Sequence, residues 1–170
     1  MLYVGKRSKF EGLVRAYSAE LYRYAYWLAR ERFTAEDLVQ ETFARAWNAW
    51  ESLRDDRAAK SWLYTILRNE HARLYEKKRV DVDDALEVDT LPDPEGASVF
   101  ESLELRDALN ALPPAYREPL LLQTLGGFTC VEIAQMMNTT EGAVMTRLTR
   151  ARLTLRKLPG WDARRKAKTR

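Results

Sequence analysis

Cysteine and histidine are nearly missing from this 170-residue sequence, which contains one of each, Cys130 and His71. One thiol cannot form a disulfide bond within the chain, and these two side chains cannot supply the four ligands of a structural zinc site. We therefore expect a protein of a reducing compartment that holds no structural metal and needs no cofactor.

Long apolar runs and glycine are also scarce. Residues 1–14 contain no long apolar core followed by small residues, and no run of about 18 consecutive apolar residues occurs. These absences predict a soluble, cytoplasmic protein without membrane insertion. The chain has only seven glycines. Its apolar residues recur at helical spacing without strand-like alternation, so we expect an all-α fold.

The residue patterns that enzymes use are absent as well. The sequence has no glycine-rich phosphate-binding loop, and no pair of carboxylates falls on a predicted buried face. Cys130 lies at a predicted helix start, where we expect a structural role, with a redox-sensing role as the alternative. The sequence therefore predicts a protein that is not an enzyme.

Charge is abundant and unevenly placed. Nine acidic residues and no Lys or Arg lie between Asp81 and Leu105, although the whole chain has a formal net charge of +3. Residues 147–170 contain ten basic residues and one acidic residue. Such a basic surface is typical of a protein that binds a polyanion, because each neutralised phosphate releases counterions. The alternative is a solvated basic tail.

The helical periodicity divides the chain into two small helical domains, residues 1–80 and 98–170. An acidic flexible linker at 81–97 joins them. This segment combines high charge, two prolines and a glycine with few large apolar groups. It cannot bury enough surface to offset the entropy of ordering, so we expect it to act as a tether.

Three helices are predicted in the first domain. The first carries an apolar stripe formed by Phe10, Leu13, Val14, Tyr17, Leu21, Ala25 and Leu28. The second begins with a capping box of Thr34 and Asp37. Its predicted buried face is Val39, Phe43, Ala46, Trp47 and Trp50, and its predicted polar face is Asp37, Gln40, Glu41, Arg45 and Asn48. A short loop at 53–58 precedes a third helix, which begins near Lys60 and ends at 76–79.

The second domain begins with a helix at 98–111 that stops at Pro113 and Pro114. Pro114 fits the first turn of the next helix. Pro119 should kink that helix, because proline removes a backbone hydrogen bond from a helix interior, unless the helix starts later or has a bent first turn. Gly126 and Gly127 are expected to end the helix.

The segment that follows predicts a helix-turn-helix. Thr129 and Glu132 form a capping box, and Phe128 and Ile133 occupy the positions of a hydrophobic staple. The short helix should break at Asn138, a residue that tolerates the left-handed conformation. Thr139 or Thr140 then caps the next helix. The small residue Ala134, the turn residue Asn138 and the core residue Val144 follow the spacing of this motif.

The last helix of this motif has one apolar and one basic face. Val144, Leu148, Ala151 and Leu155 should point inward, which leaves Met145, Thr146, Arg147, Thr149, Arg150 and Arg152 outside. A recognition helix offers its first residues to base edges in the major groove, while further arginines hold phosphates. The alternative is a helical hairpin with a solvated basic face.

Four segments in this order resemble one family. They read "AEDLVQETFARAW" (35–47), "SWLYTILRN" (61–69), "LPPAYREPLLL" (112–122) and "EIAQMMNTTEGAVMTRLTRAR" (132–152). Together with the acidic linker they are similar to bacterial extracytoplasmic-function (ECF, group 4) sigma factors of the sigma-70 family. The resemblance covers nearly all of residues 10–158. It implies an alternative sigma factor that binds core RNA polymerase and directs promoter recognition and opening.

The resemblance also implies roles for three sets of residues. The residues implied in core polymerase binding are Asp37, Leu38, Gln40, Glu41 and Arg45. Those implied in -10 DNA binding are Arg54, Arg57, Trp62, Ile66, Arg68, Asn69, Arg73, Lys77, Lys78 and Arg79. Those implied in -35 DNA binding are Thr140, Glu141, Met145, Thr146, Arg147, Thr149, Arg150 and Arg152.

Two of the -10 residues have a more specific implied role. Ile66 and Asn69 match positions that line a pocket for one base extruded from the non-template strand, where the Asn amide can both donate and accept hydrogen bonds. Trp62 and Tyr64 could stack on a base, although we favour a core position for Trp62. This chain departs from the family at Met145, where a basic residue is common, and in the Asp55-Asp56 pair of the specificity loop.

The family resemblance further implies an anti-sigma factor as a partner, a linker that threads towards the RNA exit channel of the polymerase, and a monomer when no partner is bound. The alternative function is a stand-alone helix-turn-helix regulator that does not dock on core polymerase. Such a regulator would use its N-terminal helices to dimerise or to sense a ligand, and it would bind a palindrome as a dimer.

Overall fold

The computed structural model describes residues 2–81 and 103–157. These residues form seven α-helices: α1 (Leu2–Ala29), α2 (Arg32–Asn48), α3 (Ala59–Asp81), α4 (Leu103–Ala111), α5 (Pro114–Thr124), α6 (Cys130–Met136) and α7 (Glu141–Arg156). Two 3-10 turns, Trp50–Ser52 and Asp56–Ala58, lie between α2 and α3. No strand is present in these two ranges, and the all-α prediction is confirmed.

The described helices belong to two compact units, with α1–α3 in one and α4–α7 in the other. The predicted linker lies outside the described residues from position 82 onward, as does the predicted start of the next helix at 98–102. The basic tail lies outside them from position 158.

The core of the first unit forms where α1 and α3 meet α2. Leu21, Tyr24, Leu63, Tyr64 and Leu67 are completely buried there. The Tyr64 hydroxyl donates a hydrogen bond to Glu20 Oε1 at 2.9 Å. Burial of the ring, and then the neighbouring Glu20 carboxylate, raise the pKa of Tyr64 far above its ordinary value. Tyr64 therefore stays protonated and serves as a structural donor. Because its side chain is completely buried, the expectation that it could stack on a base is wrong.

A second cluster of aromatic side chains closes the other side of α1. Phe10 makes edge-to-face contacts with Phe43, Trp47 and Trp50, with ring centroids 6.1, 5.1 and 5.9 Å away. Trp50 in turn meets Trp62 at 6.5 Å. Edge-to-face geometry places the positive rim of one ring on the negative face of another. The cluster thus fixes the turn after α2 against the start of α3.

The start of α2 differs from the prediction. The helix is capped by Glu31, whose carboxylate accepts hydrogen bonds from the backbone N–H groups of Phe33 at 2.8 Å and Thr34 at 2.6 Å. Thr34 therefore lies inside the first turn, and its hydroxyl also donates to Glu31. The predicted capping box of Thr34 and Asp37 is wrong, because the helix already begins at Arg32 and Glu31 is its cap.

The predicted buried face of α2 is also only partly correct. Ala46 is buried as expected, but the other buried positions of α2 are Ala35, Leu38 and Thr42. The buried Thr42 hydroxyl donates a hydrogen bond to the Leu38 carbonyl at 2.6 Å. The predicted residues Val39, Phe43, Trp47 and Trp50 are half-buried. The helix packs against both α1 and α3, and this turns its small residues inward and leaves its aromatic residues at the margin.

In the second unit, Pro114 and the two glycines lie at the two ends of α5, as predicted. Helix α5 begins at Pro114, so the alternative of a later start is wrong, and Pro119 is buried inside the helix. Gly127 has a left-handed φ of +68° after the end of α5. A Cβ atom at Gly126 would lie 2.5 Å from the Phe128 ring and 2.7 Å from the Leu122 carbonyl oxygen. This close approach requires glycine and brings Phe128 back onto the core.

Candidate nucleic-acid interface

The turn into α6 is built by the predicted capping box. The Glu132 backbone N–H donates to Thr129 Oγ1 at 3.3 Å, and the Thr129 N–H donates to Glu132 Oε2 at 2.7 Å. Phe128 and Ile133 are both buried beside it, as a hydrophobic staple requires. These local contacts satisfy the first donors of α6 and set its direction.

The turn between α6 and α7 also follows the predicted geometry. Asn138 adopts a left-handed φ of +51°. The chain then returns through a 2.9 Å hydrogen bond from the Thr139 N–H to the Ala134 carbonyl. Of the two predicted caps, Thr140 is the one used, and its hydroxyl oxygen accepts from the Ala143 N–H at 3.2 Å. Residues 129–156 thus form the predicted helix-turn-helix.

Helix α7 has the two predicted faces. Val144, Leu148, Ala151 and Leu155 are all buried. The residues predicted to contact -35 DNA lie on the other side. Arg147 is half-buried, and Thr140, Glu141, Met145, Thr146, Thr149, Arg150 and Arg152 are exposed. The guanidinium groups of this face are therefore at the surface, where phosphates could reach them.

Two arginines of α7 are oriented by residues that the sequence analysis did not identify. Arg150 Nη1 donates to the Tyr116 hydroxyl at 3.2 Å, and Arg152 donates to the side chain of Gln123. Tyr116 and Gln123 both lie on α5, which packs against α7. The sequence contains no local signal for these contacts, because they depend on how the two helices cross.

A cleft of about 520 Å³ opens beside this face. Tyr116 lies on one side of it, and Gly142, Thr146, Arg147 and Arg150 of α7 line the other. Its lining contains two arginines and no acidic residue. The positive end of the α7 dipole adds to this charge, so the cleft favours an anionic group.

The residues predicted to contact -10 DNA lie on α3 and on the loop before it. Trp62, Ile66, Asn69, Arg73 and Lys77 follow one another at spacings of three and four residues and so share one side of α3. Trp62, Ile66 and Arg68 are half-buried, whereas Asn69, Arg73, Lys77 and Lys78 are exposed. The side chain of Arg79 lies outside the described part of the chain. The side of α3 that carries Asn69 thus has a mixed apolar and basic character.

The loop before α3 is fixed by its own charged residues. Asp55 caps the turn Asp56–Ala58 by accepting from the Arg57 N–H at 2.9 Å, and its carboxylate also pairs with the Arg57 guanidinium at 3.1 Å. The backbone hydrogen bond from Arg57, followed by its side chain, lowers the pKa of Asp55. Arg54 and Arg57 are both exposed. Asp55 is therefore a structural member of this loop.

The polar face of α2 carries most of the residues implied in polymerase binding. Asp37, Gln40, Glu41 and Arg45 are exposed, but Leu38 is only 4% exposed and packs in the core of the unit. Arg45 Nε lies 3.0 Å from Glu41 Oε1 and 2.5 Å from Glu70 Oε1. Leu38 therefore supports this face from beneath, since its side chain cannot reach a partner.

No group of three or more His, Cys, Asp or Glu side chains in 2–81 and 103–157 could hold a metal ion. None of the helices in those ranges combines the length and the apolar character needed to cross a membrane.

Both compact units match family models. Residues 13–80 match sigma-70 region 2, and residues 102–155 match sigma-70 region 4. The two matched stretches contain most of α1, all of α2, nearly all of α3 and nearly all of α4–α7. The surfaces described above lie within them.

Whole-chain relatives are found among bacterial sigma factors. The chain is 36% identical over 171 residues to the ECF RNA polymerase sigma factor BldN of Streptomyces coelicolor, covering 94% of this chain and 64% of that protein. It therefore spans slightly less than two thirds of that relative. It is 30% identical over 159 residues to the RNA polymerase sigma factor YlaC of Bacillus subtilis, covering 89% of this chain and 92% of that protein.

Solved structures give the same picture. The sigma factor RpoE of Bartonella quintana, in complex with the anti-sigma factor NepR, matches with a TM-score of 0.79 at 29% identity, covering 91% of this chain and 98% of that chain. CnrH, in complex with the cytosolic domain of CnrY, matches with a TM-score of 0.66 at 25% identity, covering 88% and 86%.

Proposed function

The chain belongs to the ECF group of the sigma-70 family, and from this membership we propose that it is an alternative sigma factor, which binds core RNA polymerase and directs promoter recognition and opening. One observation carries the proposal above the others. A region 2 unit and a region 4 unit follow one another in a single chain, and the second presents an exposed arginine face on a helix-turn-helix.

The second unit is proposed to read -35 DNA through α7. Thr140, Glu141, Met145 and Thr146 lie at the start of the helix, where a recognition helix meets base edges. Arg147 and Arg150 line the cleft beside α5, and its two guanidinium groups suit backbone phosphates. Tyr116 holds Arg150 in place before DNA binds, which lowers the entropy lost on binding. Thr149 and Arg152 extend the same face.

The first unit is proposed to hold -10 DNA on α3. Asn69 and Ile66 would line the pocket for an extruded base, with the amide of Asn69 on the base edge and Ile66 against its ring. Arg54, Arg57, Arg68, Arg73, Lys77, Lys78 and Arg79 would hold phosphates. The contact between Trp62 and Trp50 gives Trp62 a packing role, so base stacking on it is not part of the proposal.

The polar face of α2 is proposed to dock on core polymerase through Asp37, Gln40, Glu41 and Arg45. All four are exposed on the side of α2 away from its buried residues.

The protein performs no bond chemistry in this role, acts in the cytoplasm and is monomeric when free. The structure of RpoE with NepR supports an anti-sigma factor as a further partner. Residues 81–97 are proposed to act as the tether.

Transcription in vitro with purified core polymerase on a promoter library tests the function. The full-length chain should direct initiation from a defined set of promoters that core polymerase alone ignores. Arg150→Ala should lower this transcription about tenfold, because it removes a positioned DNA contact. The matched control is Arg156→Ala, which removes an exposed arginine from the last turn of α7. If the full-length chain gives no stimulation over core alone, the proposed function is wrong.

A further inference from the structure

Glu70 has an unusual position between the two surfaces of the first unit. It lies on α3 immediately after Asn69 and is 8% exposed. No other acidic side chain is buried in the part of the chain that the structure describes. Burying a carboxylate costs free energy unless charged donors compensate it. The donors that contact Glu70 therefore indicate its role.

Both partners of Glu70 are arginines that reach the surface. Arg45 Nε of α2 lies 2.5 Å from Glu70 Oε1, and Arg73 Nη1 of α3 donates to the same oxygen at 3.2 Å. The side chain of Arg45 is 45% exposed and that of Arg73 is 61% exposed. One buried carboxylate oxygen is thus shared between two partly exposed arginines, and Arg45 Nε also lies 3.0 Å from Glu41 Oε1.

The two arginines belong to different proposed surfaces. Arg45 lies on the polymerase-docking face of α2, and Arg73 lies among the phosphate-binding residues of α3. We propose that Glu70 is a positioning residue that couples these two surfaces, by sharing its carboxylate between Arg45 and Arg73. This inference rests on the proposed function.

The coupling follows from competition for one acceptor. A carboxylate and a phosphate oxygen are alternative acceptors for the same guanidinium, so Glu70 restrains Arg73 from a phosphate. When Arg45 is withdrawn from Glu70, the carboxylate loses half of its compensation and holds Arg73 more firmly. Loss of the Arg45–Glu70 contact therefore weakens the binding of a DNA phosphate by Arg73. Conversely, phosphate binding by Arg73 strengthens the contact between Arg45 and Glu70.

A double-mutant cycle on reconstituted holoenzyme tests the coupling. Each variant is saturated with core polymerase above its own measured dissociation constant, and the affinity for a promoter fragment is measured. Arg45→Gln should weaken promoter binding about two- to fivefold, the worth of an exposed ion pair, because Arg73 is then held by Glu70 alone. In a Glu70→Gln background the same substitution should have no effect. Glu70→Gln alone should tighten binding by a similar factor.

A second background keeps the test independent of how well Glu70→Gln folds. Arg73→Gln changes an exposed side chain and removes the arginine that the coupling acts on. In this background Arg45→Gln should leave the promoter affinity unchanged. Glu36→Gln is the matched control, because it breaks an Arg–Glu pair on α2 that involves neither Glu70 nor Arg73. It should leave promoter affinity unchanged in every background.

The outcomes separate this inference from the proposed function. If the unsubstituted holoenzyme does not bind promoters, the proposed function itself fails. If it does bind, and Arg45→Gln has the same effect in all three backgrounds, Glu70 does not couple the surfaces. A purely structural Glu70 would lower the unfolding midpoint on substitution to Gln without making the effect of Arg45→Gln depend on Arg73.

Discussion

Met145 is the least polar residue on the proposed DNA-binding face of α7. Its side chain is 55% exposed, between buried Val144 and exposed Thr146. The family resemblance implies a basic residue at this place. Met145→Lys should strengthen DNA binding and increase the salt dependence of the binding constant, by about 0.9 in the slope of log K against log salt for one added phosphate contact. Titrations of a -35 fragment at several salt concentrations measure both effects.

The control for Met145→Lys is Leu153→Lys, which adds the same charge to the same helix. Leu153 is similarly exposed but lies two turns further along α7. If the two substitutions steepen the slope equally, the gain comes from net charge, and Met145 has no special position relative to the DNA.

Glu31 gives a prediction about pH. The Thr34 hydroxyl and the Thr34 and Phe33 backbone groups donate to its carboxylate and lower its pKa from the ordinary 4.5. Its stabilising effect is therefore complete above about pH 4.5 and is lost as the pH falls through the lower folded-state value. Glu31→Gln should reduce stability at pH 7 by about 0.5 kcal/mol, through the lost interaction of charge with the helix dipole.

Denaturant unfolding of both proteins at pH 7 and pH 3 checks this prediction. The difference between them should shrink at the lower pH, because pH 3 lies below the ordinary pKa of 4.5 and the unfolded chain then binds a proton at Glu31. A difference that is equally large at both values would mean that the charge of Glu31 does not stabilise α2.

The same residue shows why one helix start was predicted wrongly. The pattern of Thr34 followed by Asp37 satisfies the local rule for a capping box, and Glu is not among the favoured N-cap residues. In the structure Glu31 caps the helix by accepting hydrogen bonds from the Thr34 N–H and hydroxyl, so Thr34 lies inside the first turn. The rule ranks residue types by frequency, and here a longer carboxylate fulfils the same physical requirement.

Among the elements, α6 and α7 were predicted almost residue by residue. Their ends are set by contacts within a few positions, such as those of Thr129 with Glu132 and of Thr140 with Ala143. The face of α2 could not be predicted equally well, because α1 and α3 both pack against it. The roles of Tyr116 and Glu70 could not be predicted for the same reason. Tyr116 contacts Arg150 and Glu70 contacts Arg45, and each contact joins two different helices.

The capping box of α6 is predicted to stabilise the second unit. Thr129→Ala should cost about 1 kcal/mol, since it leaves the Glu132 N–H without its acceptor. Thr154→Ala is the control, because it removes an exposed hydroxyl from the last turn of α7, and alanine is a better helix former than threonine. Thermal unfolding monitored by circular dichroism compares the two. Equal destabilisation by both would show that the cap is not the cause.

For the molecule as a whole, the expected behaviour is independent unfolding of the two units. Each unit has its own buried core, built on Leu21, Tyr24 and Leu67 in the first and on Leu121 and Ile133 in the second. Small helical domains with separate cores unfold as separate cooperative units. Calorimetry of the full-length chain should therefore resolve two transitions.

The two stability variants assign these transitions. Glu31→Gln should lower only the midpoint of the first unit, and Thr129→Ala only that of the second, because distant substitutions act independently. Losses of about 0.5 and about 1 kcal/mol correspond to shifts of roughly 2 to 8 °C in domains of this size, which calorimetry can resolve. A single transition that both substitutions displace equally would mean that the units fold as one body. A tethered pair of DNA-binding units, each free to engage its own promoter element, would then be ruled out.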